Sequence, residues 1–78
     1  MHFAKVEKGP QGVSLELYDN NMNVLESESF ADLYTLNFHL QTLASKHLIQ
    51  EALMVIHDRE SGKVDLSLAR GENSFFVS

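Results

Sequence analysis

Residues 33–45 read LYTLNFHLQTLAS, and this stretch decides the fold because it is the one long segment with helical periodicity. Its leucines recur at intervals of three and four residues, which is the spacing of an amphipathic helix. At about 100° per residue, the apolar stripe consists of Leu33, Leu36, Leu40 and Leu43, with Ala44 and His47 beside them. We therefore predict a long helix, from about Phe30 to about Gln50, whose stripe packs on a sheet.

The residues before this stretch, Ser29-Phe30-Ala31-Asp32, are typical of a helix start. The Ser29 hydroxyl can cap an early backbone N–H, and Asp32 would stand at the third helical position. A carboxylate there suits the positive end of the helix dipole. The sequence therefore predicts that Ser29 caps the helix.

Three strands are predicted before the helix. Residues 13–18 alternate most regularly, with Val13, Leu15 and Leu17 directed inward. Residues 2–8 form a weaker strand, and residues 24–28 form a short one to which the pattern assigns no facing. The connections 9–12 (GPQG) and 19–23 (DNNMN) contain the residues that turns prefer.

Two further strands are predicted after the helix. Residues 52–57, ALMVIH, are almost continuously apolar, which is typical of a central strand. Residues 58–62 are predicted as a hairpin loop, and Val64, Leu66 and Leu68 then alternate with polar or small residues. Residues 74–78 form either a sixth strand or a loose tail. The prediction is a single α+β domain, 1–78, with the order βββαββ and one helix packed on an antiparallel sheet of five or six strands.

The composition excludes several classes of function. Six Lys and Arg residues stand against eleven Asp and Glu residues, so the net charge is −5, and there is no cysteine. The basic residues are scattered singly, which argues against binding nucleic acid or an anionic membrane surface. The first residues lack the apolar core of a signal peptide, and no apolar run could span a bilayer, so we expect a cytoplasmic protein.

The outer face of the predicted helix is unusual because it is uncharged and aromatic. Tyr34 and Phe38 stack there at i and i+4, with Thr42 and Ser45 beside them. Large apolar side chains without charged neighbours indicate a protein interface, in a homodimer or with another protein. The alternatives are that a terminal segment, 2–8 or 74–78, covers both rings, or that the rings are simply exposed.

The second face of the sheet is expected to lack a covering layer, because one helix covers only one face. We expect this face to carry Glu16, Tyr18, Asp65 and Ser67, together with either Leu53, Val55 and His57 or Met54 and Ile56. Glu16, Glu26, Glu28 and Asp65 could form an acidic strip across the sheet. That strip is either a solvated surface or a carboxylate array that occupies a basic groove of another protein.

No sequence pattern predicts catalysis, a cofactor or a metal site. His39 and His47 are separated by about 12 Å along a helix, and His57 and Asp58 point to opposite faces of a strand. Residues 58–69 and the turn at 19–23 have some carboxylates of a calcium loop, but glycine is missing from the required position in both. Both are predicted to be ordinary turns.

A small, acidic, cysteine-free α+β chain is similar in type to phage and mobile-element proteins that bind and inhibit a host protein. The resemblance implies a non-enzymatic protein-interaction domain, a homodimer in our prediction, that regulates or inhibits a protein target of unknown identity. The alternatives are an accessory or structural subunit of a complex, or a dimeric small-ligand-binding or catalytic domain with His57 at its seam.

Overall fold

The computed structural model describes residues 1–71 and 75–77 of the chain, and these form one sheet with one helix packed on it. The elements are β1 (His2–Gly9), β2 (Gly12–Tyr18), β3 (Val24–Phe30), α1 (Leu33–Lys46), β4 (Glu51–Asp58) and β5 (Val64–Arg70). The predicted α+β class and the order βββαββ are confirmed. Residues 75–77 form no strand, while Ser74 and Ser78, which the predicted sixth strand or tail includes, lie outside the described residues.

The sheet is mixed, whereas the sequence predicts a purely antiparallel one. Its strand order is β3-β2-β1-β4-β5, and β1 pairs in parallel with β4, while the other neighbours are antiparallel. The first three strands form a meander, and α1 then carries the chain back so that β4 lies beside β1. Two parallel neighbours need such a crossover, which the helix provides.

The turn between β1 and β2 depends on a glycine. Gly12 has a φ of 137°, and a Cβ at this position would lie 2.6 Å from the carbonyl oxygen of Phe30. No other residue fits this close approach without moving the end of β3. The turn therefore packs directly against the end of β3 and the start of the connection to α1.

The helix begins later than the sequence predicts, because Asp32 and not Ser29 is its N-cap. Ser29 and Phe30 belong to β3, where they pair with Ser14 and Val13. The Asp32 carboxylate accepts hydrogen bonds of 2.9 Å from the backbone N–H and from the hydroxyl of Thr35. These bonds hold the pKa of Asp32 below its ordinary value and satisfy one of the free N–H groups of the first turn.

The core lies between α1 and the sheet, as the leucine stripe predicts. Leu36 and Leu40 of α1 are 0% and 1% exposed and share the core with Leu15 and Met54 of the sheet. Phe75 and Val77 also belong to this core, so the chain after β5 returns to the helix side of the sheet. The helix contacts β2 and β3, which leaves β5 beyond its cover.

The facing of β5 is the reverse of what the sequence predicts. Ala52 and Met54 of β4 are buried on the helix side, and their partners Ala69 and Ser67 in β5 share that side. The residues on the open face are therefore Val64, Leu66 and Leu68, and not Asp65 and Ser67. Alternation shows which residues of a strand share a face, but pairing with β4 decides which face meets the helix.

Candidate protein-interaction surfaces

The outer face of α1 exposes the two aromatic side chains that the sequence singles out. Tyr34 is 83% exposed and Phe38 is 76% exposed. Thr42 and Ser45, on the same side, are exposed as well, and the Thr42 hydroxyl lies 3.5 Å from the carbonyl oxygen of Phe38. We call these residues, with Leu48 described below, the helix face.

Neither terminal segment covers this face in the described part of the chain. Residues 2–8 form the central strand β1, under the core. At the other end, Asn37 donates a 2.7 Å hydrogen bond from Nδ2 to the carbonyl oxygen of Val77 and accepts one of 2.7 Å from the Val77 N–H. Asn37 is buried, so this pairing holds Val77 on the core side of the helix, and the alternative in which a terminal segment buries Tyr34 and Phe38 is wrong.

Leu48 belongs to the helix face, although the helical stripe alone does not single it out. The helix ends at Lys46, before the predicted Gln50, and Leu48 takes a left-handed conformation with a φ of 53°. The N–H of Leu48 donates to Ser45 O, and the N–H of Ile49 donates to Ala44 O, which together form a Schellman motif.

Glycine is the residue that this position normally carries, because a Cβ there costs about 1–2 kcal/mol. Leu48 is nevertheless 84% exposed, so burial of its side chain within the chain does not offset this strain. A strained, exposed leucine is a signal of function more than of folding. If the helical repeat is continued to residue 48, Leu48 falls about 80° from Leu40, on the side of Tyr34 and Ser45. This spacing is the sequence signal that could have identified it.

A shallow groove of about 840 Å³ continues the helix face toward the edge of the sheet. Gln41, Ser45 and Leu48 line its helix side, and Glu51 and Arg70 line its sheet side. Arg70 Nε lies 3.1 Å from Glu51 Oε2, so the sheet side has a paired charge. An apolar and uncharged helix face thus ends at a polar rim, which is the usual anatomy of a protein-binding surface.

The four carboxylates of the predicted acidic strip do not lie together. Glu26 and Glu28 are on the helix side of the edge strand β3, and Asp65 is on the same side at the opposite edge of the sheet. Glu16 lies on the open face, in register with Lys5 of β1. Glu16 of β2 faces the other side of the sheet from Glu26 and Glu28 of the neighbouring strand β3, and the strand order puts β5 at the far edge.

Glu26 and Glu28 instead attach the helix to β3. Glu26 Oε2 lies 3.2 Å from His47 Nε2 and 3.5 Å from Lys46 Nζ. The hydrogen bond with His47, more than the Lys46 charge, holds the pKa of Glu26 below its ordinary value. Glu28 Oε2 lies 2.9 Å from His39 Nε2, an ion-pair distance without hydrogen-bond alignment. These carboxylates therefore have structural partners within the chain.

The candidate calcium loops are turns, as predicted. Asp19 accepts hydrogen bonds from the N–H groups of Asn21 and Asn23, at 2.8 and 2.9 Å. Asp58 accepts bonds from Glu60 and Ser61, and these N–H donors lower the pKa of both aspartates. Within residues 1–71 and 75–77, no group of three or more His, Cys, Asp and Glu side chains could hold a metal ion.

His57 lies on the open face beside Glu7, with which it is in register across β1 and β4. Its sequence neighbour Asp58 is occupied by hydrogen bonds within the β4–β5 turn, so the two do not form a dyad.

The helix α1, in the part of the chain that is described, is too short and too polar to cross a membrane.

Comparisons with protein-family models, with curated proteins and with solved structures find no match to this chain. The class of protein is therefore inferred from its own surfaces. The described residues present a helix with two exposed aromatic rings and an exposed leucine, with few charges around them.

Proposed function

We propose that this chain is a non-enzymatic protein-binding domain that acts in the cytoplasm and regulates or inhibits a protein target through its helix face. The observation that carries the proposal is the exposure of Tyr34 and Phe38, at 83% and 76%, on a helix whose other face is fully used by the core. Aromatic side chains supply large contact areas with few rotatable bonds, and they dominate binding energy when their neighbours exclude water.

The rigidity of the helix supports this role. Asp32 caps its first turn, the Asn37–Val77 pairing fixes its middle, and Glu26 holds its last turn through His47. A surface that is already ordered loses little conformational entropy on binding. An amphipathic target groove or a flat apolar patch is the surface that such a helix fits.

The charge distribution supports an apolar contact more than a carboxylate array. Because Glu26 and Glu28 have partners within the chain, they are less available to a basic groove than the sequence suggests. Binding through the helix face should therefore change little between low and high salt, whereas an array of free carboxylates would bind less tightly as salt increases.

The experiment compares two variants with the same chemical change. Phe38→Glu places a charge in the helix face, and Met22→Glu places one on a 58% exposed apolar residue in the β2–β3 turn. Both chains should remain folded by circular dichroism. A protein captured from the native host by the wild-type chain should be retained by Met22→Glu and lost by Phe38→Glu, with a loss of affinity of at least about tenfold, the effect of removing one interface anchor.

Equal capture by both variants would overturn the assignment of the helix face. Capture that weakens steeply with salt, and that survives Phe38→Glu, would favour a charged contact instead. Enzyme activity of the purified chain on a captured partner would contradict the non-enzymatic part of the proposal.

A further inference from the structure

The two edges of the sheet differ in how they are protected. The β3 edge carries Glu26, Ser27, Glu28 and Ser29, and its pairing with β2 contains a register shift between Leu17 and Tyr18. Charges, short polar side chains and bulges are the features that prevent an edge strand from pairing with another chain. The β5 edge runs through its seven residues in unbroken register with β4 and contains no proline. β5 also carries two charged residues, Asp65 and Arg70, but it has no register shift, so the β3 edge is the better protected of the two.

The alternation of bonded and non-bonded positions between β4 and β5 determines which N–H and C=O groups of β5 point away from the sheet. The N–H of Asp58 donates to Lys63 O, and the N–H of Gly71 donates to Gln50 O, each at 2.9 Å. In an antiparallel pair, bonded and non-bonded positions alternate, so Lys63, Asp65, Ser67 and Ala69 bond to β4. Leu66 and Leu68 then point their N–H and C=O groups away from the sheet, where no described strand pairs with them.

The same residues expose their side chains. Val64 is 55% exposed, Leu66 is 70% exposed and Leu68 is 46% exposed, all on the open face. On the helix side of β5, Asp65 and Ser67 are exposed too, because α1 lies over β2 and β3. Of the whole strand, only Ala69 is buried. Such a strand gains little burial from its own chain and has the features of one that pairs with a further strand.

We propose that β5 pairs antiparallel with β5 of a second copy of this chain, about a two-fold axis that passes through Ser67. In this register Leu66 lies opposite Leu68 of the second copy, and each such pair exchanges both N–H···O=C bonds. These are the residues whose N–H and C=O groups point away from β4. The apolar side chains meet on one face, and Asp65 lies opposite Ala69, so no like charges are directly opposed. The strand is self-complementary, and a second copy is the partner that it fits.

The dimer would place two helix faces on one side of a continuous sheet, and the experiments below test the dimer without reference to this consequence. The axis is perpendicular to the sheet, so the two copies form one continuous sheet with both helices on the same side. Measured between the two β2 strands, which α1 contacts, the helix faces would stand about 34 Å apart at roughly 4.8 Å per strand. If the helix face binds a target as proposed above, the dimer would bind it at two places, which increases avidity.

The chain contains no cysteine, so a single introduced one can report the axis. Ser67→Cys places its thiol opposite the same thiol of the second copy, in a non-bonded pair where the side chains are close. Under mild oxidation it should give a crosslinked dimer in high yield. Ser27→Cys, an exposed serine on the β3 edge, is the matched control and should remain mostly uncrosslinked.

The mass in solution gives the second measurement. Because the contact is small, we expect a dissociation constant on the order of 1–100 µM, so sedimentation should be followed across that range. Leu66→Lys should remain folded by circular dichroism and become monomeric, with association weaker by about tenfold or more. Ser27→Lys, which adds the same charge at the other edge, should associate like the wild-type chain.

A wild-type chain that is monomeric through the whole range would overturn the dimer, and so would equal crosslinking at positions 27 and 67. A dimer that persists in Leu66→Lys and dissociates in Phe38→Glu would assign self-association to the helix face instead. If Leu66→Lys does not fold, the crosslinking comparison decides alone. Failure to capture a target would leave all of these outcomes unchanged.

Discussion

Asn37 and Val77 are joined by two reciprocal hydrogen bonds of 2.7 Å, across forty residues of sequence separation. The Asn37 amide reproduces the pairing of a strand with the backbone of Val77, and both groups are buried. This contact brings Phe75 and Val77 into the core, where they are 2% exposed, and it keeps the end of the described chain away from the helix face. One buried amide therefore contributes both to stability and to the exposure of Tyr34 and Phe38.

Replacing this amide should destabilise the fold. Asn37→Ala leaves the N–H and C=O of Val77 without partners, and an unsatisfied buried polar group costs about 1–3 kcal/mol. The free energy of unfolding from urea titration should fall by that amount. Gln41→Ala, an exposed amide on the same helix, is the control and should have little effect. Similar stability for both variants would show that the pairing contributes nothing.

The leucine stripe gives a prediction about the core. Leu40 is 1% exposed at the centre of the stripe, so Leu40→Ala should cost about 2–5 kcal/mol through lost burial and the cavity left behind. For a chain of this size, that loss can unfold the domain. Leu48→Ala changes the same residue type at an exposed position and should shift the thermal midpoint by at most a degree or two. Equal shifts would mean that Leu40 is not central to the core.

Leu48 should show a conflict between stability and binding. Its left-handed conformation favours glycine, so Leu48→Gly should raise the free energy of unfolding by about 0.5–1 kcal/mol. The same substitution removes an apolar side chain from the helix face and should weaken target binding. Both quantities can be measured on one preparation. A variant that loses stability would show that the leucine side chain makes a contact within the folded chain.

The acidic limb of the stability curve follows from the lowered carboxyl pKa values. The pKa of Glu26 lies below its ordinary value of 4.5 because of its hydrogen bond with His47. The unfolded chain therefore binds more protons than the folded chain as the pH falls from that value, and stability decreases. The contribution is fully present above the ordinary pKa and is lost as the pH falls through the folded pKa.

In Glu26→Gln this part of the acid dependence should be missing. Urea titrations at neutral pH and below the ordinary carboxyl pKa should show a smaller loss of stability for Glu26→Gln than for the wild-type chain. Glu16→Gln, which removes a carboxylate on the open face, is the matched control. An unchanged acid dependence in Glu26→Gln would mean that other carboxylates, such as Asp19 and Asp58, account for it.

A charge reversal at the β3 edge should affect folding, contrary to the expectation from sequence. If Glu26 and Glu28 belonged to a free acidic strip, the double variant Glu26→Lys with Glu28→Lys would leave the thermal midpoint nearly unchanged. The structure places Glu26 against Lys46 and His47, and Glu28 against His39, so the double variant puts a like charge beside Lys46 and removes the carboxylates that contact both histidines. We expect a lower thermal midpoint, with part of the loss recovered by Lys46→Glu. An unchanged midpoint would mean that the ion pairs have no net effect.

The sequence by itself determined the features that depend on local periodicity. The leucine stripe placed Leu36, Leu40 and Leu43 in the core, and the uncharged opposite side left Tyr34 and Phe38 outside. The alternation in β2 and the turn residues around Asp19 and Asp58 were equally readable. These features follow from 3.6-residue and two-residue repeats and from side-chain hydrogen bonds to nearby backbone, all of which act over a few residues.

Only the tertiary structure decided which surfaces meet. Alternation in β5 gave two faces, and pairing with β4 sent Val64, Leu66 and Leu68 to the open one. The partners of Glu26 and Glu28 and the pairing of Asn37 with Val77 join residues far apart in the chain. Such contacts depend on strand order and on the path of the helix crossover, and a local repeat contains no information about either.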